Sequence, residues 1–391
     1  MSDASNSAIK SMIGETFLSL ANALETGKFG KKVRIGITNR GSEHGAEAVS
    51  LGGVIAMSRN KSVEVVLIGE KNSTGLQTIE TDCDEKAHKL MEEMLAKGEL
   101  DACVTMHYPF PIGVSTVGRV ISQANGKETY IATTTGTSAT VRDQAMFKNA
   151  IYGIITAKAC GIKEPTVGIL NIDSARTVER ALKELASNGY NIKFGASNRA
   201  DGGAVLRGND LITGAVDVVV CDSLTGNILI KMFSSFNSGG NYEAIGYGYG
   251  PGIGFGFKTP IFIISRASGS NVIAGAIEYA YQCISGNLID VVNKEEEEVK
   301  KYGFDAILES LKPKANASSG AEKAKPTVAK EVVTAQIPGV EVMDLDAAVE
   351  LVMENGIYAE SGMGCTGPII LVSDKNKENA ENILRKGGFI S

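Results

Sequence analysis

The chain has 391 residues, 43% hydrophobic and 21% charged, enough apolar material for two compact domains and an appendage. Its formal charge of −6 spreads no basic field over the molecule, which argues against nucleic acid and anionic membrane as partners and leaves any phosphate site to a few residues and backbone amides. The start, Met1-Ser2-Asp3-Ala4-Ser5, does not open a signal peptide and no apolar run reaches the ~18 residues of a membrane span, so a cytoplasmic protein is expected.

An amphipathic stretch runs to Leu24, and short β-branched runs then alternate with helical patterns opened by glycine or small polar residues. The expected strands are Val33 to Thr38, Val63 to Ile68, Ala102 to Met106, Tyr130 to Thr133, Thr166 to Asn171, Val216 to Cys221 and Pro260 to Ser265. Most are apolar on both parities, as strands covered by helices on two faces must be. The fold class that follows is α/β, with a doubly wound and mostly parallel sheet. Ligands of such sheets bind beyond the carboxyl ends of strands, which directs attention to the loops starting at Asn39, His107, Thr134, Asp173, Asp222 and Arg266.

From Lys312 the composition turns to Lys, Pro, Ala, Ser and Gly without apolar periodicity, which reads as a flexible linker over 312–330 between a body, 1–311, and a small C-terminal module, 331–391. Such a coil spans roughly 20–25 Å root-mean-square. In the module, Asp344 is expected to cap a helix with Leu345, Val349 and Val352 on one face and Gly356 past its end. The glycine-rich turn Glu360 to Pro368 follows, then a strand Pro368 to Val372 and a helix after Ser373-Asp374 that ends at Gly387-Gly388. The module is thus a helix, strand and helix unit.

Four places can carry chemistry. Gly41-Ser42-Glu43-His44-Gly45 follows the first strand, and His44 either binds phosphate, acts as acid or base, or merely caps and packs. His107, in Met106-His107-Tyr108-Pro109, has the same placement and the same alternatives. Val218 to Lys231 reads as strand, polar turn and helix, where the amides of Thr225, Gly226 and Asn227 either cradle an anion beside Lys231 or do routine capping. Cys365 sits between glycines that remove side-chain bulk, so it is either a carrier thiol open to an acyl donor or one more small packed residue. Gly239 to Gly256 alternates glycine with tyrosine and phenylalanine without a dinucleotide fingerprint, which fits a lid, a docking surface or an irregular loop. Lys294 to Glu298 is a solvated helix face. The six cysteines form no Cys-x-x-Cys pair and have three histidines beside them, so no metal, cofactor or disulfide framework is expected.

The stretches Val33 to Gly45, Val167 to Ile172, Val218 to Lys231 and Gly254 to Ile264 together resemble the phosphate acyltransferases of phospholipid synthesis, with Asp222-x-x-Thr225-Gly226-Asn227 the most specific part. That resemblance implies a two-domain cleft fold shared with isocitrate and isopropylmalate dehydrogenases and a reaction of acyl thioester with phosphate. The first loop departs from the family's Asp-Ala-Met-Gly-Gly-Asp-His, keeping a glycine and His44 and losing the acidic start. The whole architecture, including Gly362 to Pro368, is similar to the family of protein C alpha subunits of the glycine reductase complex in amino-acid-fermenting anaerobes. This likeness implies that Cys365 holds an acetyl thioester derived from a carboxymethylated selenoprotein A and generated by a beta subunit, and that inorganic phosphate releases it as acetyl phosphate. A homo-oligomer of the body is expected. Two other readings stay open: an NAD- and metal-dependent decarboxylating dehydrogenase of the same fold, which needs clustered aspartates, and a non-catalytic scaffold.

Overall fold

In the computed structural model the described residues are 32–198, 203–312, 328–340, 344–364 and 367–390, with scattered positions between 10 and 24. The strands of the body are β1 (Val33–Thr38), β2 (Val63–Gly69), β3 (Thr78–Glu80), β4 (Ala102–Thr105), β5 (Val114–Ile121), β6 (Glu128–Thr137), β7 (Thr166–Leu170), β8 (Lys193–Phe194), β9 (Val205–Leu206), β10 (Val218–Val220), β11 (Gly250–Ile253) and β12 (Ile261–Ile263). They form one sheet in the order β3-β2-β1-β4-β12-β11-β5-β6-β10-β7-β8, with β9 also on β7.

Alternate residues of these strands enter two separate cores. Ile35, Ile37, Val104, Val218 and Val220 lie under the helices Gly45–Arg59, Arg142–Ala159, Ala175–Ser187, Ser270–Ser285 and Leu288–Lys301. Val66, Ile68, Cys103 and Val219 lie under the helices Asp84–Ala96, Gly208–Thr213 and Ser223–Ser235. Each fully buried aliphatic side chain contributes about 1.5–3 kcal/mol, so a strand apolar on both parities is held from both sides. The α/β, doubly wound, mostly parallel reading therefore stands.

The departure from parallel lies in the middle. β11 is antiparallel to β12 through Gly250 and Pro251 and antiparallel to β5 through Gly252 and Ile253. β5 is in turn antiparallel to β6. The parallel blocks on either side thus run in opposite senses, and β11 hands its pairing from one to the other. Glycine is required here: a Cβ on Gly250, whose φ is +83°, would stand 1.7 Å from the Val117 carbonyl oxygen. Part of the Gly239 to Gly256 stretch, expected as a lid or loop, is therefore a buried central strand.

The C-terminal residues build a second sheet, β13 (Ala335–Pro338), β15 (Gly367–Val372) and β14 (Ala359–Gly364), all antiparallel. Ile337, Leu345, Val352, Ile370, Val372 and Leu384 fill its core with the helices Leu345–Glu354 and Lys377–Lys386. Two expectations are corrected. Glu360 to Gly364 is strand rather than turn, paired through to Gly364 with Gly367, because backbone bonds to β15 hold a segment whose own side chains give no strand signal. Asp344 precedes its helix but its side chain makes no capping bond. Most of the expected linker, 313–327, lies outside the described residues.

Candidate functional site

Three strand ends and one helix meet at a cleft of about 560 Å³. β4 delivers Met106 and His107, β12 delivers Ser265, Arg266 and Ala267, β6 delivers Thr135, and the Ser223–Ser235 helix turns Asn227 and Lys231 inward. Two cations face this space. Among the described residues no ion pair holds Arg266, and Lys231 has its nearest carboxylate, Glu243, at 3.8 Å. Glu243 is 3% exposed and accepts hydrogen bonds from the Tyr249 hydroxyl at 2.8 Å and the Ser268 hydroxyl at 2.7 Å. Burial first and Glu243 second push the Tyr249 phenol far up, so it stays a neutral donor. The arrangement fixes Tyr249 beneath Lys231, whose Nζ lies 5.6 Å from the ring centre.

The sequence left two readings for the first amides of the Ser223–Ser235 helix, an anion cradle or a cap, and at Thr225 and Gly226 the donors are engaged in a cap. The Asp222 carboxylate accepts the Thr225 N–H and the Thr225 hydroxyl, both at 2.9 Å, while the Gly226 N–H donates to the Asp222 carbonyl at 3.0 Å. Those donors are spent on the cap. Arg142 adds a 2.8 Å bond to the same carboxylate. Burial would raise the Asp222 pKa, but Thr225 and Arg142 together outweigh it and hold the carboxyl below its ordinary value. Thr225 faces a different hollow of about 300 Å³ with Arg142 and Ser138, while Asn227 and Lys231 line the main cleft. Asn227 spends one amide bond on the Thr134 carbonyl, at 3.1 Å.

The histidines also separate. His107 borders the main cleft and is in edge contact with His88, ring centres 4.7 Å apart. His88 accepts or donates at Thr105 Oγ1, 3.2 Å away, and burial, then the neighbouring His107, hold its pKa below the usual imidazole value. His44 is exposed, with its Nε2 at 3.3 Å from the Ala267 carbonyl and its ring against Tyr242. It stands beside the cleft, where Glu43 and Ala267 form the wall.

A smaller hollow of about 170 Å³ shares Met106, His107, Thr135 and Ile263 with the cleft and is lined as well by Met363 and Gly364 from the end of β14. The module is seated there by Ile112 against its core and by the Thr140 hydroxyl donating to Asp346 at 3.1 Å. Cys365 lies outside the described residues. Its chain neighbour Gly364 is on the wall of the hollow that shares His107 with the cleft of the two cations.

Sequence reasoning missed Arg266, Glu243 and His88 as individual residues. Arg266 opens a strand-end loop already marked for chemistry, a signal that could have found it. Glu243 and His88 gave none, since an acid among glycines and a histidine inside a helix look like surface. Among the described residues no three His, Cys, Asp or Glu side chains gather to hold a metal ion, and no helix is long and apolar enough to cross a membrane.

The model of the fatty acid synthesis protein family matches residues 33–371. The glycine/sarcosine/betaine reductase complex component C subunit alpha of Peptoclostridium acidaminophilum is 54% identical over 385 residues, 98% of this chain and 100% of that protein. A phosphate acyltransferase of Campylobacter concisus is 29% identical over 256 residues, 55% of this chain and 73% of that protein. A solved 4-hydroxythreonine-4-phosphate dehydrogenase from Klebsiella pneumoniae aligns with 65% of this chain and 100% of its own at 10% identity and a TM-score of 0.41. With 98% of its length matched by the glycine/sarcosine/betaine reductase component C alpha subunit, the chain belongs to the fatty acid synthesis protein family and, within it, to the family of glycine/sarcosine/betaine reductase component C alpha subunits.

Proposed function

We propose that the chain is the acyltransferase subunit of a glycine reductase protein C, transferring an acetyl group from a Cys365 thioester to inorganic phosphate to give acetyl phosphate. The observation that carries this is the shared wall: Gly364, one bond from Cys365, borders a hollow that shares His107 and Thr135 with a cleft holding Lys231 and Arg266. Phosphate held by the two cations attacks the thioester carbonyl carbon. The C–S bond breaks, its electron pair leaves with the sulfur, and Cys365 is returned as a thiolate. Phosphate is a competent nucleophile and a thioester a good electrophile, so charge neutralisation and positioning supply most of the acceleration. His107, at the junction, is suited to donate to the developing oxyanion.

The division into body (1–311), tether (312–330) and carrier module (331–391) belongs to the same proposal, as do a cytoplasmic location, a beta subunit that loads Cys365 and a carboxymethylated selenoprotein A upstream. Cys365→Ser should keep its fold and yield no acetyl phosphate in the reconstituted complex. Unchanged turnover would remove the carrier role. A chain ending before residue 312 should still cleave a small acetyl thioester with phosphate, and a scaffold would not.

A further inference from the structure

One pair of nucleophiles is left unused by this chemistry. The Cys160 and Cys283 sulfurs are 3.6 Å apart, across the contact between the Arg142–Ala159 and Ser270–Ser285 helices. A disulfide needs about 2.05 Å, so the sulfurs would have to approach by about 1.5 Å to bond. The two thiols are not equivalent. Cys160, just past the end of its helix, is partly exposed, whereas Cys283 is 0% exposed. Behind them lies Arg119, 1% exposed, its guanidinium 3.7 Å from the Tyr247 ring centre and 4.3 Å from that of Tyr279. It bonds Gln282, the neighbour of Cys283, at 2.6 Å, and its Nε and Nη2 have no hydrogen-bond partner. The Cys283 thiol, against burial and with help from Arg119, holds the Cys160 pKa below its ordinary value. Burial, then Cys160, pushes Cys283 well up. A partly exposed thiol in contact with a buried second thiol is the arrangement of a redox-responsive pair.

We propose that Cys160 and Cys283 form a reversible dithiol site that reacts with low-molecular-weight disulfides and, once oxidised, staples the two halves of the sheet. Cys160 sulfur attacks the small disulfide and expels one thiolate. Cys160 has released its proton to solvent on attack; Cys283 then gives its proton to the first departing thiolate, its sulfur attacks Cys160 Sγ, and the second small group leaves as a thiolate that takes a proton from solvent. Two protein thiols have been oxidised and one small disulfide reduced to two thiols. The staple joins helices from opposite blocks of the sheet, the Arg142–Ala159 helix beside β6 and β10 and the Ser270–Ser285 helix beside β1 and β4.

The full chain treated with oxidised glutathione should give one linked tryptic pair containing Cys160 and Cys283, two hydrogens lighter than the reduced peptides, whatever adducts form on Cys83 and Cys365. Cys283→Ala should instead keep one glutathione on Cys160, and Cys160→Ser should leave Cys283 unmodified. Oxidation should raise the thermal midpoint of the wild type by several degrees and that of neither variant, with the reduced transitions verifying that each variant is folded. The proposal is overturned if Cys160 stays free while Cys83 is modified, or if the wild type retains glutathione on Cys160 without forming the linked pair.

Discussion

Lys231 and Arg266 face the same cleft with different tethers. Lys231 has Glu243 behind it and Tyr249 below, and among the described residues no ion pair anchors Arg266. A phosphate dianion between them gains from both, and a charge-assisted hydrogen bond is worth roughly 1.5–3 kcal/mol. Lys231→Ala and Arg266→Ala should therefore each raise the KM for phosphate by about tenfold or more, as expected for ~1.4 kcal/mol or above. The KM for the thioester should move little, because neither residue lines the hollow beside Gly364. Steady-state kinetics with phosphate varied at fixed thioester reads this directly. Equal losses for both substrates would mean that the cations hold the fold of the cleft rather than phosphate.

The Ser223–Ser235 helix is set on the sheet by one residue. A Cβ on Gly226 would lie 1.7 Å from the Thr133 carbonyl oxygen and 3.1 Å from the Cys221 sulfur, so the helix can approach β6 this closely only with glycine there. Gly226→Ala should destabilise the protein by about 1–3 kcal/mol or more, since backbone cannot yield as a flexible side chain does. Displacing the helix should also move Asn227 and Lys231 out of register with Arg266, so phosphate binding weakens together with the midpoint in a thermal melt. A variant as stable as the wild type would contradict this account of the glycine. The same helix shows what the sequence could and could not say. Asp222, Thr225 and Gly226 were legible as cap or cradle, but the close contact at Gly226 only emerges once β6 is alongside. Strands β7 and β12 were readable because no charge interrupts their runs. β5 was not, because Arg119 interrupts it, and that charge is buried because Tyr247 and Tyr279 from distant elements take its faces while Glu128 and Gln282 pair with its Nη1. β11 and β14 are glycine-rich and owe their strand conformation to neighbours rather than to propensity.

At the scale of the molecule, the outer face of that helix carries Leu224, Ile228, Met232 and, just past its end, Phe236, exposed by 70%, 49%, 64% and 66%. They recur every four residues, forming a single ridge about 18 Å long at ~1.5 Å per residue. A ridge of i±4 spacing packs against an identical ridge at a crossing of roughly −50°, and a two-fold axis through the crossing makes the contact self-complementary. This supports a second copy of the chain as the occupant, with the inner face of the same helix still presenting Asn227 and Lys231 to the cleft. Ile228→Glu and Met232→Glu together should halve the mass measured by light scattering while the far-ultraviolet circular dichroism is unchanged, because both side chains are outside the core. Single substitutions should weaken association in proportion to the area removed, at about 25 cal/mol per Å². A wild-type chain that is monomeric at micromolar concentration, or a double variant of undiminished mass, would leave this ridge to another partner and remove the second copy from the proposal.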